Sequence, residues 1–222
     1  MHVSIFQGIK LVFRKEFVTG LRFKAAWAAM FMFALTTLAC VSMALQGGGL
    51  ESRLQAALLW IILFFASMAG ADRVFVDEDT AGTLLALRVY GPSQAVLLGK
   101  MLYMFFLLAV VAFFIVPLFL MFMDCTVAAP LALLAVAVLG CWGIAAAGTL
   151  IAALTTGASL HSGLFSILML PVILPIFLPA ISLTAGAFGS EVSWSYLGGM
   201  ALYDLILTTG ASILFDYLWY EE

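Results

Sequence analysis

Residues 94–123 read QAVLLGKMLYMFFLLAVVAFFIVPLFLMFM, and Lys100 is the one charged side chain among them. About 20 consecutive apolar residues are enough for a helix to cross the hydrocarbon core of a bilayer. Because lipid offers the backbone no hydrogen-bond partners, an α-helix is the expected conformation of such a run. The segment therefore predicts a membrane-spanning helix that either projects beyond the bilayer or bends at Pro117.

The rest of the chain has the same apolar character. Hydrophobic residues make up 65% of the 222 and charged residues 9%, whereas a soluble domain has about 25% charged residues. Six apolar segments can each span a bilayer, at roughly 25–45, 54–71, 94–123, 130–154, 163–183 and 198–215. They predict an all-α polytopic membrane protein, a single transmembrane domain over residues 1–222. No length remains for a soluble catalytic domain, so we expect the function in the spans, in their connections or in a partner chain.

The distribution of Lys and Arg predicts the orientation of the spans. Five basic residues precede the first span, and Arg73, Arg88 and Lys100 surround the connection between the second and third spans. Basic residues are enriched on the cytoplasmic side of membrane proteins. With the N-terminus inside, only Arg53 would lie on the other side. We therefore expect both termini in the cytoplasm.

The segment before the first span, residues 1–24, predicts an amphipathic helix. Apolar residues recur there every four positions while the basic residues occupy other positions. The apolar set is Ile5, Ile9, Phe13, Phe17 and Leu21. Such a helix can lie in the membrane interface with its basic side toward the headgroups; an ordinary basic flank of the first span is the alternative. The segment lacks the pattern of a cleaved signal peptide, so we expect it to be retained.

The longest polar connection, residues 72–93, joins the second and third spans. Asp77, Glu78 and the two residues after them suit the first turn of a short helix, whose dipole favours negative charge there. Leucines follow, Gly91-Pro92 would end the helix, and Ser93 would cap the next span. This order predicts a short helix between two spans, in preference to a merely solvated loop.

No nucleotide-binding motif is present in the sequence. Gly99-Lys100-Met101 resembles the end of a phosphate-binding loop, but Gln94 replaces the earlier glycine and Met101 replaces the Ser or Thr. Any ATP that the system uses must therefore bind to another chain. His161 is expected to be an ordinary loop histidine, with a haem or metal ligand as the alternative.

The three cysteines, Cys40, Cys125 and Cys141, form no C-x-x-C pair. We expect them to be apolar packing residues. A disulfide between Cys40 and Cys125 on the outer side is the alternative.

Four residues inside the predicted spans are candidates for a role in translocation. Asp204 is an acid in an apolar segment, and a charged group in a span costs about 2.5–3.5 kcal/mol on insertion scales. It either has a function or, about two turns into its span, reaches the outer interface. Pro171, Pro175 and Pro179 each remove a backbone donor from the fifth span. They predict either a bent or locally opened helix, as moving membrane proteins use, or a static kink.

Residues 77–93, D-E-D-x-A-G-T-L-L-x-L-x-x-x-G-P-S, resemble the cytoplasmic motif of exporter-type ABC permeases. More closely, the whole chain resembles the CcmB family of membrane proteins, which belong to the cytochrome c maturation haem exporter. The matching features are the length, Arg14-Lys15-Glu16, A-D-R-V-F-V-D-E from Ala71 to Glu78, Gly82-Thr83-Leu84, Gly99-Lys100 and S-I-L-M-L-P from Ser166 to Pro171 with the later prolines. Where the broader motif has Glu after Gly-Thr-Leu, this chain has Leu85, so a salt bridge assigned to that Glu is not carried over.

The resemblance implies a permease subunit of the bacterial inner membrane that acts in cytochrome c maturation and is not itself an enzyme. Its expected partners are an ABC ATPase subunit, a haem-handling membrane subunit, a small accessory membrane subunit and, indirectly, the periplasmic haem chaperone; nucleic acid is not expected. Haem is the expected cargo, ATP is bound by the partner, and this chain stably holds no cofactor.

The resemblance also implies which residues couple to the ATPase, and all of them lie between the second and third spans. They are Asp77, Glu78, Gly82, Thr83, Leu84 and Arg88. Two alternatives remain open: an ABC permease for another cargo, and a non-transporting scaffold that transmits ATPase motion to the haem-handling subunit.

Overall fold

The computed structural model of the protein describes residues 5–45, 49–71, 75, 82, 91–155, 161–189 and 192–220. Within these ranges all regular secondary structure is α-helical, in seven helices. They are α1 (Ile5–Phe23), α2 (Ala25–Leu45), α3 (Ser52–Ala71), α4 (Ser93–Phe122), α5 (Pro130–Thr155), α6 (His161–Gly189) and α7 (Trp194–Tyr220). The prediction of an all-helical protein is confirmed for this part of the chain.

Helices α2 to α7 are each long and apolar enough to cross a membrane, and each overlaps one predicted span. The longest is α4, whose 30 residues continue through Pro117. A helix of that length measures about 45 Å, against about 30 Å of hydrocarbon in a bilayer. It is therefore longer than a single crossing requires.

Helix α5 lies at the centre of the bundle. It packs against α3, α4, α6 and α7, and every residue from Gly143 to Ala152 is buried. Most of these residues are Gly or Ala, whose small side chains allow neighbouring helices to approach closely. At Gly140 a methyl group would overlap the ring of Trp60 in α3, and the Trp60 Nε1 in turn donates a hydrogen bond of 2.9 Å to Thr184 in α6. Small residues in α5 thus make room for the large side chains of its neighbours.

Helix α1 packs against the first half of α4. A Cβ added at Gly8 would lie 2.8 Å from the Cβ of Ala95, and one added at Gly99 would lie 2.7 Å from the Cβ of Val12. A single residue, Lys24, separates α1 from α2, and its φ of 41° places it in the left-handed region. The chain therefore changes direction within one residue between the amphipathic helix and the first span.

The predicted apolar stripe of α1 is only partly covered by protein. Its middle residues Ile9, Phe13 and Phe17 are half-buried, whereas Ile5 and Leu21 are exposed. The basic residues Lys10, Arg14, Lys15, Arg22 and Lys24 are all exposed. The middle of the stripe therefore packs within the protein, and the basic side faces away from it.

The connection between α4 and α5 lies at the opposite end of the bundle from α1. Asp124, with a φ of 50°, follows α4 in the left-handed conformation, and the Cys125 N–H donates to the Leu120 carbonyl at 3.0 Å, the pattern of a Schellman helix end. Cys40, Cys125 and Cys141 are free thiols, so the alternative of a Cys40–Cys125 disulfide is wrong for this structure.

Candidate functional site

The polar connection between α3 and α4 comprises residues 72–92, because α4 begins at Ser93; it is called the polar segment below. Asp77, Glu78, Thr83, Leu84 and Arg88, which were predicted to couple to an ATPase, lie outside the described residues. Gly82 is described: it lies in a turn with a φ of 66°, a conformation that glycine adopts without steric cost.

Ser93 does not cap α4, and that prediction is wrong. The N-cap residue is Pro92, and no side chain caps the helix. The Ser93 side chain is buried, and its hydroxyl donates a hydrogen bond to the Asp216 carboxylate in α7. The Ser93 hydroxyl thus bonds to a side chain far along the sequence and not to the backbone at the start of its own helix.

Both ends of the polar segment meet the same turn of α7. Near its start, the Phe75 side chain is 2% exposed, and its ring centroid lies 5.8 Å from that of Phe215. Just after its end, Ser93 bonds to Asp216. Because Phe215 and Asp216 are consecutive, a displacement of the polar segment relative to the bundle would act on α7 at one place.

A buried ion pair links the same region to α1. The Lys100 side chain in α4 is 0% exposed, and its Nζ lies 2.9 Å from Oε1 of Glu16 in α1. The same ammonium lies 4.6 Å from the centroid of the Phe75 ring, within the range of a cation–π interaction. Since removing one partner of a buried ion pair leaves an uncompensated charge, the pair strongly resists separation.

The Glu16 carboxylate is held in its charged form. Burial raises the pKa of Glu16, but the ammonium groups of Lys100 and Lys15 outweigh burial and hold the pKa below its ordinary value of 4.5. Lys15 Nζ lies 3.1 Å from the same oxygen as Lys100. Glu16 is therefore ionised at neutral pH.

Aromatic rings close the α1–α4 contact beside this ion pair. The Phe106 ring of α4 packs edge-on against Phe13, Phe17 and Trp27, with centroid distances of 5.6 to 6.1 Å. The residues that join the polar segment to α1, α4 and α7 are here called the junction. They are Glu16, Phe75, Ser93, Lys100, Phe215 and Asp216.

The junction was missed in the sequence, although signals for part of it were present. Lys100 lies inside an apolar run, and a charge buried there needs a partner. Glu16 is the one acidic residue among the first 50, and it belongs to a segment predicted to lie at the membrane surface. No comparable signal marks Phe75 or Phe215, because aromatic residues are common throughout the chain.

Asp204 lies near the middle of α7, ten residues after the first residue Trp194, or about 15 Å along the helix. Its side chain is 3% exposed, and neither carboxyl oxygen has a hydrogen-bond partner among the described residues. The alternative that Asp204 reaches the outer interface assumed a helix beginning near Gly198. Because α7 begins earlier and packs on α5 and α6, the carboxyl faces the interior of the bundle.

The three prolines of α6 do not interrupt its helical assignment, which runs from His161 to Gly189. Pro171 and Pro175 are exposed, and Pro179 is half-buried. Beside them, the Tyr203 hydroxyl of α7 donates to the Val172 carbonyl at 2.8 Å. This bond links α7 to α6 next to Pro171 but does not replace a donor that a proline removes, because the residue four after Val172 is Ile176. A bend or local opening at these prolines stays a prediction.

The junction connects elements by an ion pair, a hydrogen bond and ring contacts. Among the described residues, no group of three or more His, Cys, Asp or Glu side chains could hold a metal ion.

The model of the family described as CcmB protein matches residues 7–213 of the chain. No curated protein matches the sequence. The match includes most of α1, the polar segment and most of α7. The six candidate spans make this a multi-pass membrane protein. The chain belongs to the CcmB family, the membrane permease subunit of the cytochrome c maturation haem exporter.

Proposed function

We propose that this chain couples ATP hydrolysis by a separate ATPase subunit to the delivery or export of haem and to release of the haem-loaded periplasmic chaperone. Membership of the family implies a complex with the CcmA ATPase. The chain acts in the bacterial inner membrane beside a haem-handling membrane subunit and a small accessory subunit. Haem is its cargo and is not stably bound by it.

The observation that carries this proposal is the attachment of both ends of the polar segment to one turn of α7. If the ATPase moves this segment, the Phe75–Phe215 contact and the Ser93–Asp216 hydrogen bond pass the displacement to α7. Because α7 packs against α5 and α6, the displacement reaches the centre of the bundle.

The orientation that the proposal requires places the junction, α1 and the end of α7 in the cytoplasm. The exposed basic side of α1 supports it, since basic residues favour the cytoplasmic side. In this orientation Asp77, Glu78, Gly82, Thr83, Leu84 and Arg88 form the surface that the ATPase contacts. The polar segment and the six spans together form one permease domain.

Charge reversal in the polar segment tests the contact with the ATPase. Replacing Asp77 and Glu78 by Lys should remove the ATPase from the purified complex and abolish production of c-type cytochromes. Glu51→Lys is the matched control, because Glu51 is exposed and lies at the opposite end of the bundle. Normal co-purification and normal cytochrome production in the double variant would contradict the proposal.

A second pair of variants distinguishes transmission of motion to α7 from binding of the ATPase. Ser93→Ala and Asp216→Ala each remove the hydrogen bond to α7 without altering the polar segment. We expect the ATPase to remain bound and to hydrolyse ATP while cytochrome c maturation falls. Ser182→Ala is the control, because that hydroxyl donates to the Leu178 carbonyl within its own helix.

The cargo is tested by affinity purification from native membranes, with identification of the subunits and measurement of the haem spectrum. A deletion strain that keeps its c-type cytochromes would contradict haem as the cargo. Haem movement into sealed vesicles that lack the haem-handling subunit would argue against a scaffold role for this chain.

A further inference from the structure

Asp204 is a buried carboxyl group for which the described structure provides no partner. An isolated ionised carboxylate in an apolar interior carries a large desolvation penalty, and such a group normally neutralises unless it is paired. Neither of its oxygens accepts a hydrogen bond from any described residue.

The helices that pack on this part of α7 offer no counter-ion. Helices α5 and α6 contain no Asp, Glu, Lys or Arg, and His161 is fifteen residues before Ile176, the α6 residue beside Asp204. In α4, Lys100 is paired with Glu16. On α7 itself, the Tyr203 hydroxyl donates to Val172, and Asp216 accepts from Ser93.

The carboxyl lies directly against the backbone of α5. A Cβ added at Gly143 would lie 2.5 Å from Asp204 Oδ1 and 2.5 Å from Ile176 Cδ1. The carboxyl therefore fits only because residue 143 is glycine, and the packed α5, α6 and α7 exclude water from it. Separation of α7 from α5 would open this contact and let water reach the acid.

We propose that Asp204 is a proton-binding site: the carboxyl holds a proton while α7 is packed on Gly143 and releases it when α7 separates from α5. Binding of the proton in the packed state follows from burial and from the lack of a counter-ion among the described residues alone. Its release during the transport cycle rests on the proposed function, because the junction is what would move α7.

Labelling with dicyclohexylcarbodiimide, an apolar reagent that reacts with protonated carboxyl groups in membranes, tests the packed state. The carboxyl oxygen bonds to the central carbon of the reagent and the acid proton passes to its nitrogen; migration of the acyl group to nitrogen then leaves a stable adduct with the full mass of the reagent. In membranes that contain the assembled complex, mass spectrometry should find this adduct on Asp204 at neutral pH. As the pH is raised beyond the point at which the carboxyl loses its proton, labelling should fall about tenfold for each pH unit.

Two glycine variants test the dependence on packing. Gly143→Ala should force α7 away from α5 and lower the labelling of Asp204 at neutral pH several-fold, whereas Gly210→Ala on the same helix as Asp204 should leave it unchanged, since no atom lies within 4 Å of the added group. Absence of the adduct on wild-type Asp204, or labelling that does not change with pH, would overturn the proposal. If Gly143→Ala does not assemble, the labelling of Asp204 in the wild-type complex at increasing pH still tests the proposal.

Asp204→Asn tests the release step, because the amide imitates the protonated acid and cannot release a proton. We expect this variant to assemble with the ATPase, to give no adduct at position 204 and to lose at least tenfold in cytochrome c maturation. Normal maturation would overturn proton release as part of the cycle. A failure of the proposed function is distinguishable, because it would appear in the Asp77 and Glu78 variants and would leave the labelling of Asp204 intact.

Discussion

Two buried acids in this protein, Glu16 and Asp204, are accommodated in opposite ways. Glu16 lies between two ammonium groups, at 2.9 Å from Lys100 and 3.1 Å from Lys15, and stays charged. Asp204 has a glycine backbone and an isoleucine beside it and is expected to be neutral. The difference follows from the neighbours and not from the depth of burial, since both side chains are largely removed from solvent.

Lys100→Met should strongly destabilise the protein, because it leaves the Glu16 carboxylate without its buried partner. Breaking one side of a buried pair typically costs about 3–5 kcal/mol. The double variant Lys100→Met with Glu16→Gln should recover most of that loss. Thermal unfolding of the purified complex, with the amount of protein in the membrane, measures the difference.

Lys15→Met is the control for that series, because the Lys15 side chain is 43% exposed and surface pairs contribute about 0–1 kcal/mol. The pair also predicts a pH dependence: because the pKa of Glu16 is lowered, its contribution is complete above pH 4.5 and is lost as the pH falls further. A double variant as unstable as Lys100→Met alone would contradict this account.

Gly82→Ala should impair coupling, because Gly82 has a φ of 66° and a left-handed conformation costs other residues about 1–2 kcal/mol. Gly82→Asn should retain most of the function, since Asn visits that conformation more easily. Cytochrome c production with the ATPase still bound is the measurement. Equal activity of the Ala and Asn variants would show that the turn conformation does not matter.

At the level of elements, α1 is held to α4 by close backbone approach together with the ring contacts of Phe106 and the Glu16–Lys100 ion pair. Glycines on both helices face the partner, Gly8 toward Ala95 and Gly99 toward Val12. The exposed ends of the predicted stripe, Ile5 and Leu21, are free to contact lipid. The helix therefore combines a protein contact with the membrane-surface position that its basic side favours.

Gly99→Ala should weaken the packing of α1 on α4, because the added Cβ would lie 2.7 Å from the Val12 Cβ and 3.2 Å from the Ile9 carbonyl oxygen. Overpacking of this kind costs about 1–3 kcal/mol. Faster protease cleavage within α1 in membranes is the expected result. Gly210→Ala, which meets no neighbour, should be neutral or stabilising by up to about 1 kcal/mol; similar behaviour of the two variants would argue against close packing at Gly99.

At the scale of the whole molecule, the contacts that close the bundle join residues far apart in the chain. Glu16 meets Lys100, Ser93 meets Asp216, and Trp60 meets Thr184. As a result α4 is attached to the first and last helices, and Phe75 of the polar segment contacts both Lys100 in α4 and Phe215 in α7. A force on this one segment would act on α1, α4 and α7 together.

Cysteine accessibility tests the orientation of the whole molecule. In a background without Cys40, Cys125 and Cys141, Lys10→Cys and Glu51→Cys each introduce a thiol at an exposed position on opposite ends of the bundle. A membrane-impermeant maleimide should label the thiol at position 51 in intact spheroplasts and the one at position 10 only after permeabilisation. The reverse pattern would invert the proposed topology.

The number and approximate limits of the spans could be predicted, because a bilayer requires long apolar helices and each such run is visible locally. The role of Ser93 could not be predicted, because a hydroxyl at the start of a helix usually caps that helix. The acceptor that Ser93 uses instead, Asp216, is 123 positions away in the sequence. For Asp204 two alternatives stayed open, and the one that placed it at the outer interface is wrong, because α7 starts four residues before the apolar run that marked it.

The amino-acid sequence was enough to predict a six-span helical membrane protein with a polar segment between its second and third spans, because the hydrocarbon of a bilayer requires long apolar helices and excludes unpaired backbone groups. It also carried the family motifs. Which polar groups meet becomes visible in the folded bundle alone: Lys100 meets Glu16, Ser93 meets Asp216, and Asp204 has no partner among the described residues. Inside a membrane bundle such pairings depend on how helices distant in sequence pack, and apolar periodicity carries no record of that arrangement.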